Sequence, residues 1–226
     1  MLKGVIFDMD GVIINSEPVH YEAYRQVLEE LGCEEEYTYE IYQKTVGSTQ
    51  YRVVEEIINR FGLTLSVEEI QARGLKKQSE IFKTEGYPPV PGAVELIRKL
   101  HNAGLKLAVA SSSVEALIEE SIRGIGVTEY FDRMVSADTL DKPKPEPDVF
   151  LLAAQELGLS PDECIIIEDS ENGVLAAKAA GIPCVGYINP DSGKQDLSAA
   201  DILVEGFEEI DEEFMVRVWK RAHGEP

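Results

Sequence analysis

The 226-residue chain has little cysteine, little positive charge and no long apolar run. Its cysteines, Cys33, Cys164 and Cys184, lie too far apart for zinc-ligand or redox-pair spacing, which leaves them as buried reduced thiols. Lys and Arg together number 21 against 42 Asp and Glu, a formal charge of -21. A field of that sign repels polyanions, so nucleic acid and anionic membranes are excluded as partners. Any phosphorylated ligand must then be held by a metal or by a few placed cations. No stretch approaches the ~18 apolar residues of a membrane span, and Asp8 interrupts the first apolar run before a secretory signal can form, so the expected location is the cytoplasm. A dinucleotide glycine fingerprint is missing, and Gly193-Lys194-Gln195 lacks the hydroxyl and upstream glycine of a phosphate loop. There is no internal repeat and no low-complexity segment.

What is present is a folding chain, 44% hydrophobic and 28% charged, of a size for one globular unit or a core with a smaller insert. Short runs rich in β-branched residues at 3–7, 105–110, 134–136, 164–167, 184–187 and 202–204 read as buried parallel strands. Between most of them lie helical patterns with legible ends. Ala93, Val94, Ile97 and Leu100 share a face before Gly104, and Ser112 with Glu115 predicts a capping box for the next helix. Further helical stretches close at Gly158 and Gly181. Strand alternating with helix predicts an α/β fold with a Rossmann-like, doubly wound parallel sheet. From residue 15 to 88 only helical patterns occur, with Ser16 and Ser66 as candidate caps, and a crossover needs only about a dozen residues. The expected organisation is a core of 1–14 and 89–226 carrying an inserted helical domain, 15–88, hinged at Asn15-Ser16 and Gly86-Tyr87-Pro88-Pro89.

Ligands of a doubly wound sheet bind beyond the carboxyl ends of its strands. The residues there are Asp8, Met9, Asp10 and Gly11 after the first strand, Ser111, Ser112 and Ser113 after the second, Lys142 and Lys144 after the third, and Glu168, Asp169 and Ser170 after the fourth. Singly, each has a structural reading, as turn cap, helix cap or solvated charge; together they suit a cation and a phosphoryl group. Asp8 and Asp10 project the same way from an extended strand end, with Gly11 letting the backbone turn away. Mg²⁺ held by Asp8 and Asp169 would relieve their repulsion and screen an incoming dianion, letting Asp8 attack phosphorus. Asp10 would be general acid and then base; Lys144 and Ser111, with backbone amides near Met9 and Ser112, would hold the phosphoryl oxygens.

The order of these pieces resembles the haloacid dehalogenase superfamily over the whole chain. Asp8-Met9-Asp10-Gly11-Val12 is similar to its first motif, Ser111 to the second, Lys144-Pro145-Glu146-Pro147-Asp148 to the third, and Glu168-Asp169-Ser170 with Gly173 to the fourth. The resemblance implies a Rossmann-like core with a helical cap and Mg²⁺-dependent phosphotransfer. Asp8 would be nucleophile, Asp10 acid/base and, through its carbonyl, a metal ligand with Asp8 and Asp169, while Glu168 would order the metal's water shell. Dehalogenase members generally lack a second Asp two residues after the nucleophile, so Asp10 implies phosphate chemistry. The β-phosphoglucomutase-like subgroup further implies cap contacts to substrate from His20, where the mutases carry a cap-hinge histidine, and from Lys77, which falls near a cap lysine they use, with Gln50 a further candidate. Gln50 stands where the mutases carry the arginine that grips a second phosphate, and Arg52, two residues along a helix, is turned about 200° away. The expectation is a phosphatase of a small phosphorylated metabolite such as a sugar phosphate, with a mutase as runner-up and a phospho-accepting receiver as the non-enzymatic alternative. A monomer is compatible with the sequence, which leaves the oligomeric state open.

Overall fold

All six expected runs form strands: β1 (Gly4–Phe7), β2 (Lys106–Ser111), β3 (Arg133–Ser136), β4 (Cys164–Glu168), β5 (Cys184–Tyr187) and β6 (Ile202–Val204). The computed structural model describes residues 1–33, 36–46, 50–138 and 140–224. Every strand pairing is parallel, in the order β3-β2-β1-β4-β5-β6. The chain runs outward from β1 through β2 to β3, then returns to the other flank of β1 as β4. Strand order thus reverses between β1 and β4, where such a sheet opens its crevice. Phe7 pairs with Ile167, and the Asp8 N–H donates to the Ile167 carbonyl at 3.0 Å, which brings Asp8 level with Glu168 at that crevice.

Between β1 and β2 the chain inserts α1 (Glu17–Glu30), α2 (Tyr39–Gln43), α3 (Gln50–Phe61) and α4 (Val67–Glu85). Their apolar stripes close on one another: Tyr24, Val27 and Leu28 of α1, Val54 and Ile57 of α3 and Ile70 of α4 share a core separate from the sheet. At about 1.5–3 kcal/mol for each fully buried large aliphatic side chain, that core is a substantial source of stability in its own right. The expected Ser66 cap opens α4 as a full capping box, with Glu69 N–H donating to Ser66 Oγ at 3.2 Å and Ser66 N–H to Glu69 Oε2 at 3.0 Å. The insert leaves and rejoins the sheet at one place, where Asn15 N–H donates to the Pro88 carbonyl at 2.8 Å and Val90 N–H to that of Ile13 at 2.9 Å.

Alternation along the strands divides the rest of the core between two faces. Val5, Phe7, Leu107, Val109, Ile165 and Ile167 pack under α5 (Ala93–Asn102), α6 (Glu115–Gly124) and α9 (Glu212–Ala222). Ile6, Ala108, Ala110, Ile166 and Cys184 pack under α7 (Asp148–Glu156) and α8 (Glu171–Ala180). Cys164 and Cys184 are buried free thiols as expected, whereas Cys33, in the turn after α1, is only partly buried. Among the described residues no helix is long and apolar enough to cross a membrane.

Two serine caps differ from expectation. Ser112 does not cap α6, which starts after Val114 with no side-chain cap. Ser113 N–H donates instead to Ser111 Oγ at 3.0 Å, and Ser136 Oγ donates to the Ser113 carbonyl at 2.7 Å, so the serine run is held as a loop and the helix begins later. Ser16 does stand at the start of α1, but its hydroxyl donates to Asp10 Oδ1 at 2.7 Å rather than closing the helix end. At Ser16 the site claims the hydroxyl, and at Ser112 the held serine loop delays the helix.

Candidate active site at the strand switch point

Asp8 follows β1 directly and is 6% exposed. Lys144 reaches it from the loop before α7, its Nζ 2.5 Å from Asp8 Oδ1 and 2.8 Å from Glu168 Oε1. The ammonium also lies 4.7 Å from the centroid of the Phe150 ring, whose π face favours a cation. Lys142, two residues earlier, is exposed. The other Glu168 oxygen accepts from Ser170 N–H at 2.6 Å and Ser170 Oγ at 2.9 Å, which fixes the carboxylate that in turn fixes Lys144. Gly173 makes room for it, because a Cβ there would overlap the Glu168 carboxylate. Gly173→Ala is therefore expected to cost roughly 1–3 kcal/mol of stability, read as a lowered melting temperature by calorimetry.

Asp10 is held by hydroxyls alone: Ser16 on Oδ1, and on Oδ2 Ser113 at 2.7 Å and Ser111 at 3.3 Å. Asp169 is buried against Gly11, where an added Cβ would collide with its carboxylate and where φ of 83° already favours glycine. Ser192 Oγ donates to Asp169 Oδ2, and Asn189 Nδ2 donates to the Gly11 carbonyl at 2.8 Å. The loop after β5 thus braces both sides of the gap between the first and fourth motifs. No local pattern in the sequence marks Ser192 or Asn189, since their partners are over twenty residues away in the chain.

One ammonium among three buried carboxylates leaves the pocket floor short of positive charge. Burial raises the Asp8 carboxyl well above its ordinary range, with Glu168 and Asp10 adding to the rise against the pull of Lys144. Burial raises Asp169 likewise, reinforced by Glu168 and Asp8. Burial alone would lower Lys144, but Asp8 and Glu168 outweigh it and keep the ammonium protonated. Among the described residues no three Asp, Glu, His or Cys side chains form a ready-made metal cluster. The Asp10 carboxylate in particular is occupied by serines, so any metal contact from that residue must come through its backbone carbonyl. Two side-chain carboxylates, Asp8 and Asp169, with a carbonyl and water are a donor set that fits Mg²⁺, a cation that keeps several waters. The unbalanced negative charge is the force that would draw it in.

Above this floor a cavity of about 530 Å³ opens toward the inserted helices. His20 and Gln50 line it, as expected from the sequence, and Ser112 lines its core side. Lys77 does not; it pairs with Glu30 at 2.7 Å, and Gln78 faces the cavity in its stead. Arg52 is likewise not on its wall. Ser111 is fully buried, its hydroxyl toward Asp10, and Met9 is buried too, so of Met9 only the backbone could serve a ligand. The wall also includes Glu17, raised by burial and bonded to the Tyr42 hydroxyl, a pair the sequence did not announce.

A parallel sheet with carboxylates at its switch point, a buried lysine between two of them and a helical insert over the crevice defines a phosphate-handling α/β hydrolase. The family model for haloacid dehalogenase-like hydrolases matches residues 5–187, and the chain belongs to that family. It is 32% identical over 211 residues to the phosphorylated carbohydrates phosphatase of Thermotoga maritima, covering 92% of this chain and 96% of that protein. It is 34% identical over 182 residues to the fructose-1-phosphate phosphatase of Escherichia coli, covering 80% of this chain and 94% of that protein. Among solved structures, CbbY from Rhodobacter sphaeroides in complex with phosphate superposes with a TM-score of 0.79 at 26% identity, covering 92% of this chain and 96% of that one.

Proposed function

We propose that this chain is a Mg²⁺-dependent phosphatase that hydrolyses small sugar or polyol monophosphates through a phosphoryl group carried on Asp8. The observation that carries the reading is the triad at the switch point: Asp8 fixed by Lys144, Asp10 poised on three hydroxyls beside it, and Asp169 across Gly11. An Asp8 carboxylate oxygen attacks phosphorus and the bond from phosphorus to the ester oxygen breaks. Asp10 delivers a proton to that oxygen, so the alcohol departs neutral. Asp10 then takes a proton from water, whose oxygen attacks phosphorus, releasing inorganic phosphate and returning the free Asp8 carboxylate. Lys144, with backbone amides at Met9 and Ser112, holds phosphoryl oxygens as charge shifts across them. Ser111 acts through Asp10, which it touches. Asp8, Asp169 and the Asp10 carbonyl would hold Mg²⁺, which would supply the positive charge needed for a dianion to approach these carboxylates. Glu168 keeps Lys144 in place and would help order the water around a bound Mg²⁺. Segment 15–88 is the cap, which excludes water over the reacting bond.

The cap-side wall favours hydrolysis over phosphoryl transfer between two positions of a sugar. A mutase must hold a second phosphate there, and among the described residues Lys144 is the one Lys or Arg on the cavity wall. The Gly47-Ser48-Thr49 stretch preceding Gln50 lies outside the described residues; Gln50 itself presents an amide. Assay of a panel of phosphorylated metabolites for inorganic phosphate and for isomerised product is the test. Expected is multiple-turnover phosphate release from sugar monophosphates with no bisphosphate activator. An isomerised product that depends on a bisphosphate would establish the mutase, and a single stoichiometric phosphorylation would establish a receiver.

A further inference from the structure

Helix α4 turns one stripe toward the cavity, Gln71, Gly74, Leu75 and Gln78, at spacings of three and four. Gly74 lets the stripe approach closely, since a Cβ there would come within 2.5 Å of Tyr24 Cε1. Gln71 is satisfied, its Nε2 donating to Gln50 Oε1 at 3.2 Å. Gln78 is not: the residue is 5% exposed, and its Nε2 is buried without a hydrogen-bond partner. Buried amide donors nearly always have partners, so an orphan on a cavity wall marks a place for a ligand acceptor.

We propose that Gln78 reads the leaving group, its Nε2 donating to an uncharged oxygen, a hydroxyl or ring oxygen, of the alcohol that departs from phosphorus. This rests on the phosphatase reading above. The acceptor is neutral because the one Lys or Arg on the described wall, Lys144, is locked between Asp8 and Glu168 and Glu17 adds an acidic group, so among the described residues no free Lys or Arg compensates a second phosphate or a carboxylate. Gln78 is thus a specificity-determining residue. A site built to donate a hydrogen bond discriminates against ligands that cannot accept it.

Gln78→Met keeps the volume and removes the donor. With the best-cleaved sugar or polyol monophosphate, kcat/KM is expected to fall about 10-fold, mostly through KM, the loss of one well-placed hydrogen bond. With p-nitrophenyl phosphate, whose leaving group offers no hydroxyl pattern, the change is expected to stay under about 2-fold by the same reasoning. Gln78→Lys restores a donor with charge and should raise activity on a sugar bisphosphate relative to the monophosphate. Equal losses on both monoesters, or an unchanged KM for the sugar phosphate with no gain on the bisphosphate in the lysine variant, would overturn the assignment while leaving the phosphatase intact. A wild-type chain that cleaves neither monoester overturns the phosphatase reading itself, and the Gln78 role with it.

Discussion

Asp8→Asn is expected to reduce phosphate release by on the order of 10⁴-fold or more while the chain stays folded, the scale seen when a nucleophile acting with its partners is removed. The amide keeps the shape of the side chain and can still accept from Lys144, which keeps its second partner, Glu168, at 2.8 Å. What it loses is the charge and the nucleophilic oxygen pair. Stability should hold because burial makes the Asp8 charge a burden to the folded state, as its raised carboxyl pKa records. A melting temperature equal to or above that of the metal-free wild type is therefore expected, with unchanged far-ultraviolet circular dichroism. Turnover near the wild-type rate in that folded variant would remove Asp8 from the role of nucleophile, whatever the rest of the site does.

The skeleton of this site was legible because strands and their ends follow local rules. Short β-branched runs mark all six strands to within about two residues, and parallel pairing brings their ends together. Readings that depended on side-chain direction fared differently. Ser112, three residues before Glu115, predicts a cap, yet α6 starts after Val114 with no side-chain cap, and Ser16, at the start of α1, spends its hydroxyl on Asp10, an acceptor outside its own helix. Lys77 illustrates the limit of alignment by residue type. At about 100° per residue it sits a quarter turn off Gln78, and the phase of α4 is set by Gly74 against Tyr24, a contact no periodicity reveals. Ser192, Asn189 and Asp191 were invisible for a further reason, since their loop matters through tertiary contacts alone. Asp191 accepts from Asn15 at 2.8 Å, just before the insert, and from Tyr39 of the insert, two residues from Asn189 and next to the serine bound to Asp169. One short loop therefore touches both the helical insert and Asp169, a coupling that only three dimensions display.

Asp169→Asn and removal of Mg²⁺ are expected to silence the enzyme to a similar degree, by at least about 100-fold, because each takes away the charge that admits the phosphate dianion. Stability separates the metal's binding from its chemistry. Mg²⁺ that binds the folded chain alone should raise the melting temperature of chelator-treated wild type, by the equivalent of about 2.7 kcal/mol at a hundredfold excess over its dissociation constant. Asp169→Asn should lose most of that response. The carboxyls of Asp8 and Asp169 lie well above their ordinary values in the folded chain, chiefly through burial. Their contribution to stability is accordingly full below the unfolded carboxylate pKa of about 4 and is lost as pH rises through the raised folded values. Metal-free wild type should thus grow less stable as pH climbs toward neutrality, and Asp169→Asn should flatten that decline. Identical melting curves with and without Mg²⁺, together with phosphate release indifferent to chelation, would mean that Lys144 alone balances these carboxylates, and the metal would have no place in the reaction.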